Sequence, residues 1–84
     1  MRMLVKWQIP VEAGNEAIRT GKMARINEAL MGRLRPESAY FHTENGTRTS
    51  YAVFDLDDVS QIPEIAEPLF QELHAKVELS SSRS

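Results

Sequence analysis

From Met3 to Ile9 apolar and polar positions alternate: Met3, Val5, Trp7 and Ile9 fall on one side, Leu4, Lys6 and Gln8 on the other. A period of two is the mark of a strand. Pro10 ends it, because proline cannot donate to a ladder. Val11 to Asn15 reads as a short loop. From Glu16 to about Arg35 the period lengthens to that of a helix, with Met23, Ile26, Leu30 and Leu34 in one stripe and Ile18 and Ala29 at its edge. Gly21 weakens this helix by roughly 1 kcal/mol relative to alanine. Gly32 reads as part of a C-terminal cap. Arg33 and Arg35 suit the negative end of the helix dipole, and Pro36 stops the chain from continuing.

Ser38 to Glu44 and Thr47 to Leu56 alternate again, with Asn45-Gly46 between them. Asn-Gly favours the tight turn whose twist matches the flanking strands, because both residues tolerate positive φ. A two-residue loop fixes the register: Glu44 opposes Thr47, His42 opposes Thr49, and Tyr40 opposes Tyr51. The register then sorts side chains. One face holds Tyr40, His42, Glu44, Thr47, Thr49, Tyr51, Val53 and Asp55. The other holds Ala39, Phe41, Thr43, Arg48, Ser50, Ala52, Phe54 and Leu56, and it is more apolar at mid-strand, so it is expected under the helices. A slip of one residue would exchange the two sets.

Asp57, Asp58 and Ser60 offer caps for a second helix. Pro63 fits its first turn. Pro68 is expected to break it into pieces near 60 to 67 and 68 to 74, with Ile62, Ile65, Ala66, Leu69, Phe70 and Leu73 as the apolar positions. Ala75, Val77 and Leu79 alternate with Lys76, Glu78 and Ser80, which predicts a last strand. The order β-α-β-β-α-β predicts an α+β, ferredoxin-like fold: an antiparallel sheet with two helices on one face. Residues 1 to 79 read as this single domain and 80 to 84 as a polar tail.

Composition adds the question of what covers the second sheet face. At 84 residues the chain is a single small domain. A domain this small buries only about 60% of its unfolded surface, so it commonly needs a disulfide, a metal or a partner copy. It has no cysteine, and His42 and His74 lack metal-ligand spacing, which leaves oligomerisation. The open face is aromatic and polar rather than fully charged, as suits an interface or a wet pocket. A homodimer formed through that face is the expectation.

The net charge of −2 is unevenly spread, at +4 over residues 1 to 35 and −6 over residues 36 to 84. In a compact domain this predicts halves that face each other. Overall acidity argues against nucleic acid as a partner. No apolar run is long enough for a membrane span, and Met1 to Pro10 reads as a strand rather than a signal peptide. With no cysteine, a cytoplasmic protein is the expectation.

His42 is the first candidate for chemistry. Beside Tyr40, Glu44 and Tyr51 it could act as a general base or bind a polar ligand. The plainer alternative is an interfacial histidine bonded to Thr49 or to a partner copy. His42, Glu44 and Asp55 share a face, but two or three such residues without fixed spacing do not make a metal site, and none is predicted. Gly14 and Gly21-Lys22 resemble a phosphate loop, but the spacing is wrong and Met23 stands where Ser or Thr must meet magnesium. Arg19, Lys22, Arg25 and Arg33 on one flank of the first helix read as solvated stems or as partners of the acidic half. Trp7 reads as core, on a sheet face that strand one alone does not decide. If Lys6 and Gln8 share the open face with His42, that face suits an anionic or carbonyl ligand.

Tyr40, Phe41, His42, Asn45, Gly46, Tyr51, Val53, Asp57 and Asp58, in this order, carry a resemblance. The chain resembles the dimeric α+β barrel superfamily, in which two ferredoxin-like protomers stack their sheets. More narrowly it resembles short bacterial proteins classed only as a domain of unknown function. The likeness covers most of the chain through motifs that are mainly structural. It departs at Ser80 to Ser84, where a proline and further apolar residues would brace the dimer. The resemblance implies a homodimer with no cofactor. Members of the superfamily include cofactor-independent monooxygenases and small-molecule isomerases. Two functions are therefore expected: binding or transforming a small organic molecule with Tyr40, His42 and Tyr51 as contacts, or a non-catalytic dimerisation module.

Overall fold

A computed structural model describes residues 1–82. In chain order it contains β1 (Arg2–Ile9), α1 (Val11–Arg19), α2 (Lys22–Leu34), β2 (Ser38–Glu44), β3 (Thr47–Asp55), a 3-10 turn (Val59–Gln61), α3 (Ile62–Leu73) and β4 (Lys76–Ser81). The four strands form one antiparallel sheet in the order β2-β3-β1-β4. Since β3 is antiparallel to both β1 and β2, those two strands run the same way with β3 between them. The molecule is an α+β fold: an open four-stranded sheet with three helices layered on one face.

The alternation in β1 decides its faces. Met3, Val5, Trp7 and Ile9 are buried with the helices, and Leu4, Lys6 and Gln8 lie on the open side. Trp7 is therefore core-facing, and Lys6 and Gln8 share the face of His42. The hairpin has the register that its turn dictates. Tyr40 pairs with Tyr51, His42 with Thr49 and Glu44 with Thr47. Asn45 and Gly46 have φ of 52° and 77°, the positive pair that this turn needs. Ala52, Phe54 and Leu56 then close the core with Ile26, Leu30, Leu34, Ile65, Leu69 and Leu73.

The pattern places Phe41 under the helices too, but Phe41 is 61% exposed. The helical layer stops short of β2, whose residues stay exposed along nearly its whole length. Alternation reports which way a side chain points, not whether anything lies there.

Three further departures have local causes. Helix starts at Val11 rather than Glu16, directly after Pro10, and the expected single helix is two. Thr20 caps α1, its hydroxyl donating to the carbonyl of Glu16 at 3.1 Å, and Gly21 at φ 80° turns the chain before α2 begins. Gly32 lies inside α2. The cap is Arg35, in the left-handed region at φ 47°, its N–H donating to the carbonyl of Met31 at 2.8 Å. Pro68 does not break α3, which runs unbroken from Ile62 to Leu73. Burial of Ile65, Ala66, Leu69 and Leu73 outweighs the one hydrogen bond proline removes.

Asp58 caps the 3-10 turn as its position suggests. It accepts from the N–H of Ser60, while Gln61 accepts from the N–H groups of Asp57 and Asp58. β4 extends through Ser81, two residues past the expected end, and the N–H of Ser82 donates to the carbonyl of Arg2 at 3.0 Å. The rest of the expected tail, Arg83 and Ser84, lies outside the described residues.

The charge halves do face each other. Arg2 pairs with Glu37, Lys6 with Glu44, Lys22 with Glu72 and Arg33 with Glu64, a base of the first half and an acid of the second each time. Among the described residues no helix is long and apolar enough to cross a membrane.

Candidate functional site

Three strands place four polar side chains together on the open face. The hairpin register puts His42 and Glu44 on β2 beside Tyr51 on β3, and the β1–β3 register puts Lys6 opposite Tyr51. Glu44 is the hub. Its carboxylate accepts from Lys6 Nζ at 3.1 Å and from the Tyr51 hydroxyl, and it lies 3.1 Å from His42 Nε2. The rings form a ladder. Tyr51 stacks on Tyr40 at 5.0 Å and on His42 at 5.4 Å, and Lys6 Nζ sits 5.7 Å from the centre of the Tyr51 ring.

These contacts tune the groups in consistent directions. The Tyr51 hydroxyl, and then Lys6, hold the Glu44 carboxyl below its ordinary value. Donating to Glu44 raises Tyr51, and the bond to Glu44 raises Lys6. Each partner thus favours the form the others need: an ionised Glu44, a neutral Tyr51 and a cationic Lys6. Gln8 extends the polar strip, its side-chain amide donating to Thr49 Oγ1 at 3.3 Å. Thr49 is fully buried, although it lies on the face that no helix covers.

All three residues singled out in the sequence, Tyr40, His42 and Tyr51, are brought together. Asp55 shares their face but lies at its far end, paired with the N-terminal ammonium group at 2.8 Å. Among the described residues no group of three or more His, Cys, Asp or Glu side chains converges as metal ligands would. Chemically, the cluster offers a carboxylate in line with an imidazole, a phenol held neutral and an ammonium group. It can orient the imidazole for proton transfer, and it can hydrogen-bond a carbonyl or hydroxyl group.

The sequence does not reveal a second concavity, on the opposite side of the sheet. Where β2 projects beyond the helices, a groove opens between β2 and α2. It comprises cavities of about 360 Å³ and about 170 Å³ that share Trp7, Asn27, Phe41 and Ser50. Its one signal in the sequence is Phe41, an aromatic on an outer strand at a position assigned to the core.

Comparisons of the chain with models of known protein families, with curated proteins and with solved structures find no match. The resemblance to a bacterial family of unknown function therefore rests on the quoted residues alone.

Proposed function

We propose that this protein is a ferredoxin-like domain of the dimeric α+β barrel kind, which pairs through its open sheet face and holds a small organic molecule bearing a carbonyl or acidic group at Tyr40, His42 and Tyr51. The observation that carries the reading is the Glu44 carboxylate, bonded at once to Lys6 and Tyr51 and adjacent to His42 on the one face the helices leave uncovered. Under a second sheet the cluster would lie inside a barrel. There, water exclusion strengthens its hydrogen bonds and an imidazole beside a carboxylate becomes a competent base. The split β-α-β arrangement and the helices on a single face support the fold part of the reading. The marginal size of the domain supports the dimer.

The stacked Tyr40, Tyr51 and His42 rings favour a second reading. If they fill the barrel by themselves, the protein is a non-catalytic dimerisation module.

Sedimentation velocity at micromolar concentration separates the two, together with thermal denaturation against a panel of small carbonyl and carboxylate compounds. The primary reading expects a dimer, and at least one compound that raises the melting temperature saturably in the wild type but not in His42→Ala. A dimer that no compound stabilises leaves the dimerisation module. A monomer at hundreds of micromolar overturns both.

A further inference from the structure

The groove between β2 and α2 opens on the helical side of the sheet, although Tyr40 and Tyr51 of the Glu44 cluster border its larger cavity. Trp7 is only 3% exposed, yet its indole N–H has no hydrogen-bond partner among the described residues. A buried tryptophan usually finds one. Nor is this N–H sealed away: Arg2 Nη1 is the one fully buried, unpaired side-chain polar atom among the described residues. The sliver of Trp7 that solvent reaches therefore includes the indole nitrogen, and both cavities that Trp7 lines belong to this groove.

Two more unpaired polar groups line the same cavities. The Asn27 amide and the Ser50 hydroxyl make no hydrogen bond with any described residue. Phe41 forms one wall and Met31 stands in the larger cavity. No charged side chain lines that cavity. Arg48 reaches the smaller one, but its guanidinium is engaged by Asn15 Oδ1 at 2.9 Å and by the carbonyl of Val11 at 3.3 Å. An aromatic wall suits a flat ring. An indole N–H can only donate, so it needs an acceptor. The absence of a free charge argues for a neutral molecule, because an ion would enter unpaired.

We propose that the groove between β2 and α2 binds a planar, uncharged ring system whose carbonyl oxygen accepts the Trp7 indole N–H, with the ring against Phe41 and with Asn27 and Ser50 at its polar edge. The larger cavity, of about 360 Å³, has room for two fused rings.

Trp7 is the only tryptophan, so a nitrogen–proton correlation spectrum contains a single indole signal to follow. Coumarin serves as the probe and naphthalene, similar in shape but without a carbonyl, as its control. The expected result is a saturable shift of the indole resonance with coumarin, and binding weaker by about tenfold for naphthalene, where the donor is left unpaired. Phe41→Ala and Ser50→Ala weaken coumarin binding by a similar factor, whereas Glu67→Gln, on α3 and outside both cavities, leaves it unchanged. Phe41 is largely exposed, so its variant keeps the wild-type melting temperature and loss of binding is not loss of fold. An indole signal that does not move with coumarin overturns the proposal. So does equal affinity for naphthalene, coumarin binding that both variants leave intact, or a resonance that shifts with protein concentration alone, which would mean that a second copy covers the groove.

Discussion

On its helical side the sheet presents Val5, Trp7, Ala52 and Phe54, none more than 3% exposed. On its other side the neighbouring residues Leu4, Lys6, Tyr51 and Val53 remain partly in water. The two faces come from alternate residues of the same strands, yet they are completed by different physics. Burial of apolar surface completes the first, a force that is non-directional and nearly indifferent to pH. Charge-assisted hydrogen bonds around Glu44 organise the second, and these are directional and titratable. A face can thus be ordered without being covered, and the order on the open side depends on solution conditions.

The two faces should differ most when the same side chain is cut from each. Leu69 is completely buried in the helical layer. Leu69→Ala is expected to destabilise the protein by about 3 kcal/mol, in the range for a buried leucine. Leu4→Ala on the open side should cost under about 1 kcal/mol in dilute solution. Urea denaturation measures both. If the open face pairs with a second copy, the cost of Leu4→Ala grows with protein concentration while that of Leu69→Ala does not. Equal costs at low concentration would mean that the open face is as dry as the other.

Legibility in the sequence followed the same division. The hairpin could be read because its determinants are local: Asn45-Gly46 sets the turn, the turn sets the register, and the register brings Tyr40, His42, Glu44 and Tyr51 together. Lys6 completes the cluster only through the pairing of β1 with β3, which alternation in β1 does not specify. Coverage was illegible. Nothing near Phe41 states that the helices end before β2. The first helix departs from its sequence pattern for a related reason. Gly14 and Asn15 look like turn residues, but Arg48, distant in sequence, packs over Gly14 and bonds to Asn15.

A second test acts on the open side alone, through pH. The carboxyl of Glu44 lies below its ordinary value of 4.5 in the folded chain. Between the folded and ordinary values the unfolded chain binds more protons, so stability rises with pH there. The contribution is complete above the ordinary value and is lost as pH falls through the folded one. Glu44→Gln should therefore flatten the acid limb of a plot of melting temperature against pH. It should not abolish that limb, because Asp58, lowered by Ser60, titrates in the same direction. On the alkaline side Lys6 and Tyr51 are raised, so their contribution holds below their ordinary values of 10.5 and 10.0 and is lost as pH rises through the folded ones. Glu44→Gln should soften that limb too. Matching curves for wild type and variant would show that the cluster does not hold in solution.

The smallest expected effect lies where Arg48 packs over Gly14. Arg48 is the one charged residue on the helix-facing side of the strands, among the described residues. A Cβ added to Gly14 would lie 2.4 Å from Arg48 Nη1 and 3.2 Å from its Cζ, so the guanidinium would have to leave. Alanine in place of glycine favours a helix by about 1 kcal/mol. Losing the bonds to Asn15 and Val11 costs a similar amount, about 1 kcal/mol. Gly14→Ala alone should therefore change stability by less than about 1 kcal/mol, since the two terms oppose each other. In an Arg48→Ala background the three atoms nearest to the methyl group, all of Arg48, are gone. There the same change should stabilise the protein, by about 0.5–1 kcal/mol. The difference between the two backgrounds in a double-mutant cycle measures how firmly Arg48 is held. If alanine stabilises both backgrounds equally, Arg48 is only a solvated charge at the rim, and the helical side owes nothing to it.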